Sequence, residues 1–342
     1  MSTSLLQRRL VAHFGSLRTT LVCMALLGAA VATGLVGGTV WVPALALAIG
    51  LLALNLLAAL VMHPAFRRQL PLLVAHLALL ALVVLVAAGR LTALDGRFEL
   101  TQGLPFDGLI EAKTGPLHRD RLSRLDFRHE GFEIDYAPGR RRGATRNPVT
   151  WSDAEGQTQR AVIGDHRPLV VDSYRIYTSS NKGFAPLLTW VPAQGEPVSG
   201  AVHLPSFPVH ELQQSREWTL PGGGVAWVML QFDEQLIDPT GPASFRLPDS
   251  HRLVLRVGDL RAELAPGERV EIPGGTLVYE RLSTWMGYRV WYDATLPWLL
   301  AASLLAAFSL TWHYTRRFFG PPEGAPKTRG LATHPATGAG DV

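Results

Sequence analysis

The sequence predicts an integral membrane protein with four transmembrane helices. A large extracytoplasmic, β-rich, sandwich-like domain lies between the third and fourth. Three observations predict this. Apolar residues crowd into 19–89 and 295–313, whereas 90–293 reads like an ordinary soluble domain. Within the apolar parts, residues 19–38, 42–62, 71–89 and 294–313 each approach the roughly 20 residues needed to cross about 30 Å of hydrocarbon. Finally, the segment from 90 to 293 holds short runs rich in Val, Ile, Tyr, Phe and Trp, bounded by Gly, Pro, Asn or Asp.

Orientation follows from the basic residues. Arg8, Arg9 and Arg18 precede the first span, Arg67 and Arg68 separate the second from the third, and Arg316 and Arg317 follow the fourth. The loop "GGTVWVP" between the first two spans has none. The positive-inside rule makes the basic clusters cytoplasmic, so the large domain is expected on the periplasmic side of an inner membrane with both termini cytoplasmic. Trp291, Tyr292 and Trp298 at one end of the last span, and Trp312 and Tyr314 at the other, are expected as interfacial aromatic flanks. The expected segments are a cytoplasmic N-terminus (1–18), three membrane helices (19–89), the β-rich domain (90–293), the fourth helix (294–313) and a disordered tail (314–342). The alternative of a signal peptide cleaved after Ala32 would leave the apolar run "TGLVGGTVWVPALALAIGLL" as a mature N-terminus, which argues against it.

In the domain, strands are expected at "GFEIDYA", "QRAVIG", "LVVDSYRIYTSS", "WTLPGGGVAWVMLQF", "HRLVLRVGDLRAEL", "RVEIPGGTLVYERL" and "YRVWYDA". "VGDL" and "IPGGT" read as hairpin turns, "SFPVHELQQS" as room for one helical turn, and "GRRRGATRNP" as a basic loop. The net charge of +4 is accounted for by topology and does not indicate nucleic-acid binding. The only cysteine, Cys23, falls in the first span, so the domain has no internal disulfide and the chain by itself has no Cys-x-x-Cys site. The glycines of "PGGGVAW" open no βαβ unit, and no Ser-His-Asp set or carboxylate pair stands out.

His76 is the residue that demands explanation. It lies roughly 8 Å into the third span at 1.5 Å per residue. Ionisable groups at that depth usually face other helices, where they bond a partner or serve function. Three readings are open. The ring is a polar tie to a neighbouring helix, for instance to Asn55, or a metal or haem ligand, or a proton relay. His63 and His313, at the ends of the second and fourth spans, are expected in the headgroup zone. His118, His129, His166, His203, His210 and His251 are expected as surface or structural residues, since no two have helical metal-pair spacing. Arg140, Arg141 and Arg142 are expected in a solvated loop.

Several segments together carry a resemblance to a known family. "GSLRTTLVCMALLGAAVATG", "LALNLLAAL" with Asn55, and above all "VAHLALLALVVLVAAGRLTALDGRFELTQG" recur in order, followed by "LDFRHEGFEIDYAPG" and "VIGDHRPLVVDSYRIYTSSNKGFAPLLTW". In this order and topology the chain resembles the ResB-like family, the CcsB half of the system II cytochrome c biogenesis machinery. The resemblance implies a subunit that handles haem across the membrane and supports its attachment to apocytochrome c. The implied partner is a CcsA-like membrane protein with a tryptophan-rich haem-handling segment, with thiol-reducing proteins as further partners. It also implies that His76 is an axial ligand to haem iron, paired with one from the partner, and it leaves Arg67 and Arg68 as weaker candidates for the haem propionates. The sequence departs from the fuller pattern in being shorter and in dispersing its nine Trp residues. Such a chain is expected to be a non-autonomous subunit of a haem lyase, not an enzyme alone.

Overall fold

The computed structural model describes residues 13–35, 41–153, 155–221 and 223–319. The expected disordered tail lies almost wholly outside the described residues, as does most of the cytoplasmic N-terminus. The chain divides into two compact units, one holding the long apolar helices and the other residues 89–294.

The first unit contains α1 (Leu17–Leu35), α2 (Trp41–Met62), the short α3 (Pro64–Arg68), α4 (Leu70–Thr92) and α5 (Leu296–Phe319). All but α3 are long and apolar enough to cross a membrane, so this is a multi-pass membrane protein. Helix α5 runs past the hydropathy limit at 313, because helical hydrogen bonding continues where hydrocarbon-length apolarity stops. Its last turn carries Arg316 and Arg317, which suit the negative end of the helix dipole. Trp291 and Tyr292 lie just before α5 and outside it. They end a β-strand, where they pair with Asp95 and Leu94.

Side-chain size sorts the helix faces. Small residues are buried: Cys23 and Ala30 on α1, Ala48 on α2, Ala75 and Ala78 on α4, and Ala302, Ala306 and Ser309 on α5. Large apolar residues such as Leu21, Leu54, Val84 and Leu304 are exposed. Lipid is as apolar as leucine, so helices gain little by hiding leucine from it, and between α1 and α2 small residues let the backbones approach.

Among the described residues, the second unit has sixteen strands, numbered in chain order. Its largest sheet holds β1 (Leu94–Thr101), β2 (Glu111–Thr114), β7 (Leu169–Val171), β8 (Tyr174–Pro192), β9 (Val198–Ala201), β15 (Arg269–Ile272) and β16 (Gly275–Tyr292). A second sheet holds β10 (Ser215–Thr219), β11 (Val225–Gln231), β13 (Arg252–Val257) and β14 (Leu260–Leu264). The third holds β3 (Arg128–His129), β4 (Glu133–Ala137), β5 (Arg141–Ser152), β6 (Thr158–Ile163) and β12 (Ala243–Ser244). The expected basic loop is therefore a turn followed by a strand. "GATRNP" pairs on one side with β4 and on the other with β6, which takes up its backbone groups despite Gly143 and Pro148. In "SFPVHELQQS" one helical turn does close, with the His210 amide donating to the Ser206 carbonyl at 2.8 Å.

Two hydrophobic cores share the long antiparallel pair β8–β16. One gathers Phe184, Leu188 and Trp190 of β8 and Leu277, Tyr279 and Leu282 of β16 against the second sheet. The other gathers Tyr174 and Ile176 of β8 and Met286, Tyr288 and Val290 of β16 against Phe98, Phe127 and Val149. The pair serves both through two irregularities. One, between Tyr279 and Arg281, moves the inward set of β16 from odd to even positions. The second lies at the boundary of the cores, where Ser179, Ser180 and Asn181 oppose Gly287. A Cβ on Gly287 would lie 2.6 Å from Ser179 Oγ, so glycine is needed there.

Polar side chains fill the seam between the cores. Tyr288 donates its hydroxyl to Asn147 Oδ1 at 2.7 Å, and Asn147 donates to the Gly131 carbonyl. His129 is fully buried, with Nδ1 accepting from the Gly131 amide at 3.1 Å, which leaves the proton on Nε2. Burial pushes its pKa down to about 4 from 6.5. The unfolded chain therefore takes up this proton first as pH falls. A contribution of roughly 3 kcal/mol is complete above pH 6.5 and lost as pH drops through about 4. Melting curves of the detergent-purified chain should show this loss, and His129→Gln should flatten the profile in that window. An unchanged profile in the variant would mean that other groups carry the acid sensitivity.

Candidate functional site: an imidazole-lined cavity among the membrane helices

Helices α1, α2 and α4, with Phe66 of α3, line an open cavity of about 570 Å³. This lies within the size range of small-molecule and cofactor sites. Its wall is mostly leucine, alanine and valine, and the polar or aromatic groups on it are Thr20, Asn55, His63, Phe66 and His76.

Asn55 and His76 both line the cavity, but they are not bonded to each other. Asn55 is buried and its carboxamide is already filled. Its Nδ2 donates to the Phe14 carbonyl and, at 3.4 Å, to that of Ser16, while Oδ1 accepts from Thr20 Oγ1 at 2.7 Å. The tie to His76 expected as one reading is thus replaced by a clamp on the start of α1. The cause is local. Asn55 reaches two carbonyls at this entry, that of Phe14 and that of Ser16, which also accepts from the Thr20 amide at 3.1 Å. Gly15 permits the close approach, since a Cβ there would meet the Ala58 carbonyl carbon and the Ala59 nitrogen at 3.0 Å.

His76 bonds within its own helix. Its Nδ1 lies 2.7 Å from the Leu72 carbonyl one turn earlier, and a carbonyl can only accept, so Nδ1 carries the hydrogen. In the neutral ring Nε2 is then a bare lone pair, with no hydrogen-bond partner among the described residues. A backbone carbonyl orienting one ring nitrogen while the other is left open is the usual arrangement around a metal-ligating histidine. Phe66 meets the ring edge-on, with centroids 4.8 Å apart.

His63, expected merely at the headgroup level, is brought onto the same wall. Its Nε2 lies 3.0 Å from the Gly15 carbonyl and so donates to it. The sequence signal was the hairpin itself, because a residue ending one span and a residue one to two turns into the next come to the same end. Arg68 is exposed and is not on the cavity wall, and the Arg67 side chain lies outside the described side chains. His313 meets Tyr314 with ring centroids 5.3 Å apart.

The wall suits a haem better than a bare ion. Among the described residues no group of three or more His, Cys, Asp or Glu is placed to hold a metal. A porphyrin brings four nitrogens of its own and asks the protein for one or two axial ligands and an apolar enclosure.

Three more histidines, His118, His203 and His251, are engaged in the β-rich unit. His118 Nδ1 lies 2.8 Å from the Thr92 carbonyl, and His251 Nε2 lies 2.7 Å from the Tyr279 hydroxyl. His203 sits between Glu99 Oε2 at 3.0 Å and Thr101 Oγ1 at 2.8 Å, stacked on Trp285. This chain of contacts has the spacing of a catalytic relay, yet Thr101 is buried. The amides of Gln102 and Gly103 are spent on the Thr284 and His129 carbonyls, which leaves neither to stabilise an oxyanion. The basic run is consumed internally. Arg140 pairs with Glu211 and Arg142 with Asp165, each at 2.7 Å, and Arg141 Nε reaches the Pro138 carbonyl at 3.4 Å. Behind Asp165, Lys182 is buried. Burial, and then the neighbouring Arg142 charge, pull its pKa down to about 8.

The sequence pattern of the ResB-like family matches residues 66–244, a little over half of the chain, beginning just before α4 and including His76. The chain belongs to the ResB-like family. No curated protein matches it. Among solved structures it is similar to one titled Cytochrome c Heme Lyase CcmF, at 14% identity and a TM-score of 0.28, over 87% of this chain and 34% of that one. This ResB-like chain thus spans about a third of the length of that structure.

The Asn55 clamp is testable. Asn55→Ala removes three hydrogen bonds and should lower the resistance of the helical unit to denaturing detergent by about 1–2 kcal/mol. Limited proteolysis before α1 should become faster. Unchanged resistance and cleavage would mean that helix packing alone holds α1 on α2.

Proposed function

We propose that this ResB-like protein is the haem-handling subunit of a cytochrome c biogenesis complex, with His76 as an axial ligand to haem carried as cargo in the α1–α2–α4 cavity. Family membership supports the role in cytochrome c biogenesis. The observation that carries the site is the His76 ring. Its Nδ1–H is committed to the Leu72 carbonyl, and its bare Nε2 belongs to a side chain lining an apolar cavity. Haem, when bound, supplies the iron and the macrocycle to be attached to apocytochrome c.

The chain's own groups perform the rest. The Leu72 carbonyl holds the imidazole in the tautomer that can coordinate, and Phe66 restrains its rotation. Leucines and alanines on the wall exclude water from the iron's surroundings, and Asn55 holds the start of α1 on α2. The positive-inside distribution supports a periplasmic β-rich domain, which would brace a CcsA-like partner or hold the apocytochrome. The chain has no tryptophan-rich segment of its own, so the ligation step belongs to the complex. Arg68, away from the cavity wall, is left as a topogenic charge.

An absorption spectrum of the detergent-purified complex decides the matter. The wild type should show a Soret band with sharp bands on reduction. His76→Ala should lower bound haem by about tenfold or more while still assembling. Full haem content in that variant would remove His76 from the ligand set.

A further inference from the structure

The chain passes from the β-rich unit into two spans at one end of the large sheet. Ladder pairing sets Thr114 of β2, Leu94 of β1, Tyr292 of β16, Tyr174 of β8 and Val171 of β7 in one row there. One residue separates α4 from β1, and three separate β16 from α5, so little chain is available to lift the row away from the helix ends. The 23 residues of α4 rise about 34 Å, slightly more than the roughly 30 Å of hydrocarbon, which puts its last turn at headgroup level.

That last turn is wrapped by residues 115–121. The Gly115 amide donates to the Ala93 carbonyl, the Leu117 amide to the Leu91 carbonyl and His118 Nδ1 to the Thr92 carbonyl, each at 2.8 Å. Carbonyls left over where a helix ends are thereby met. A Cβ on Gly115 would lie 2.3 Å from the Leu91 oxygen, so glycine is needed for this approach. On the sheet side, the Tyr174 hydroxyl accepts from the Arg121 amide at 3.1 Å, and the Tyr292 ring meets that of His118 edge-on. So firmly tied a segment nevertheless turns apolar side chains outward. Leu117 is 62% exposed and Leu91 is 41% exposed. Arg90, Arg119 and Arg121 are exposed on the same two segments, and none of them has an ion pair among the described residues. The acidic groups at this end are Asp120, whose Oδ1 accepts from the Leu122 amide at 2.9 Å, Asp172 of the β7–β8 hairpin, and Asp293.

We propose that this end of the sheet is seated in the phospholipid headgroup layer, with Leu91 and Leu117 at the acyl boundary and Arg90, Arg119 and Arg121 paired to lipid phosphates. Lipid is the occupant because the patch begins on the last turn of a spanning helix, which lipid already surrounds. Leucine gains from the acyl boundary what it loses in water, and a guanidinium fork matches the oxygens of a phosphate. The wrap around α4 then fixes the tilt of the domain, which two short connections alone would leave free to swing. The inference is independent of the haem reading and of the side of the membrane on which the domain stands.

The test uses the full chain with Cys23→Ser, reconstituted without a partner into vesicles of phosphatidylcholine and phosphatidylglycerol. A nitroxide is placed at Leu117→Cys, or for comparison at Val209→Cys, an exposed position on the 206–215 turn. In power-saturation measurements the label at 117 should be open to oxygen and shielded from a water-soluble nickel chelate, whereas that at 209 should be open to the chelate. Equal chelate access at the two positions would overturn the seating. Shielding at 117 that develops only when a partner subunit is added would also overturn it, and would make the patch a protein-docking surface. The arginines are read separately by native mass spectrometry of the detergent-purified chain. Arg90→Gln, Arg119→Gln and Arg121→Gln together should reduce the number of phospholipids retained, and unchanged retention would overturn the phosphate pairing.

Discussion

A polar group inside a bundle of membrane helices has no water to turn to, so it must find its partner in the protein. That constraint organises the first unit. The carbonyls exposed where the chain enters α1 are met by Asn55 from two turns inside α2 and by His63 from just past its end. These bonds hold α1 on α2 at the very end where the cavity opens between them and α4. Lipid offers no hydrophobic drive for helix association, so polar contacts and small-residue packing position the cavity wall. Two histidines are oriented as a by-product, each with one ring nitrogen spent and one left over.

The second unit obeys a different constraint. A sheet must bury one face, and here a single pair of long strands has to serve two cores. An uninterrupted strand would keep one set of alternating residues facing the same way along its whole length. The irregularity at Tyr279–Arg281 switches that set, and the larger one opposite Gly287 marks the change from one core to the other. Polar side chains gather between the cores, among them the uncharged His129 and the Tyr288–Asn147 pair, both tied to the backbone of Gly131. The partly exposed Glu99–His203–Thr101 chain imitates catalytic groups in its geometry, but the neighbouring amides are already bonded.

Much of the architecture was legible in the residues. Hydropathy marks the four helices because span length is set by bilayer thickness, a property of the environment and not of the fold. Val, Ile and aromatic runs between turn residues mark most strands. Where the reading failed, pairing partners overrode composition. "GATRNP" looks like a loop, yet it is a strand because β4 and β6 flank it. Trp291 and Tyr292, next to the last span, also complete β16, because β1 lies alongside. The hairpin at Asp172 and Ser173 bears no glycine, and its positive φ angles are imposed by the strands it joins.

The sequence by itself determined that the chain is a membrane protein, where its long helices lie, that its interposed domain is β-rich, and that His76 is anomalous. These follow from local quantities, namely side-chain transfer free energy, spacing and charge. Tertiary structure alone decided that Asn55 serves the start of α1 and not His76, that His63 shares the cavity, and that two cores share one strand pair. Hydrogen-bond partners distant in sequence are chosen by which backbone carbonyls are left open once helices and strands have formed, and no local pattern records that choice.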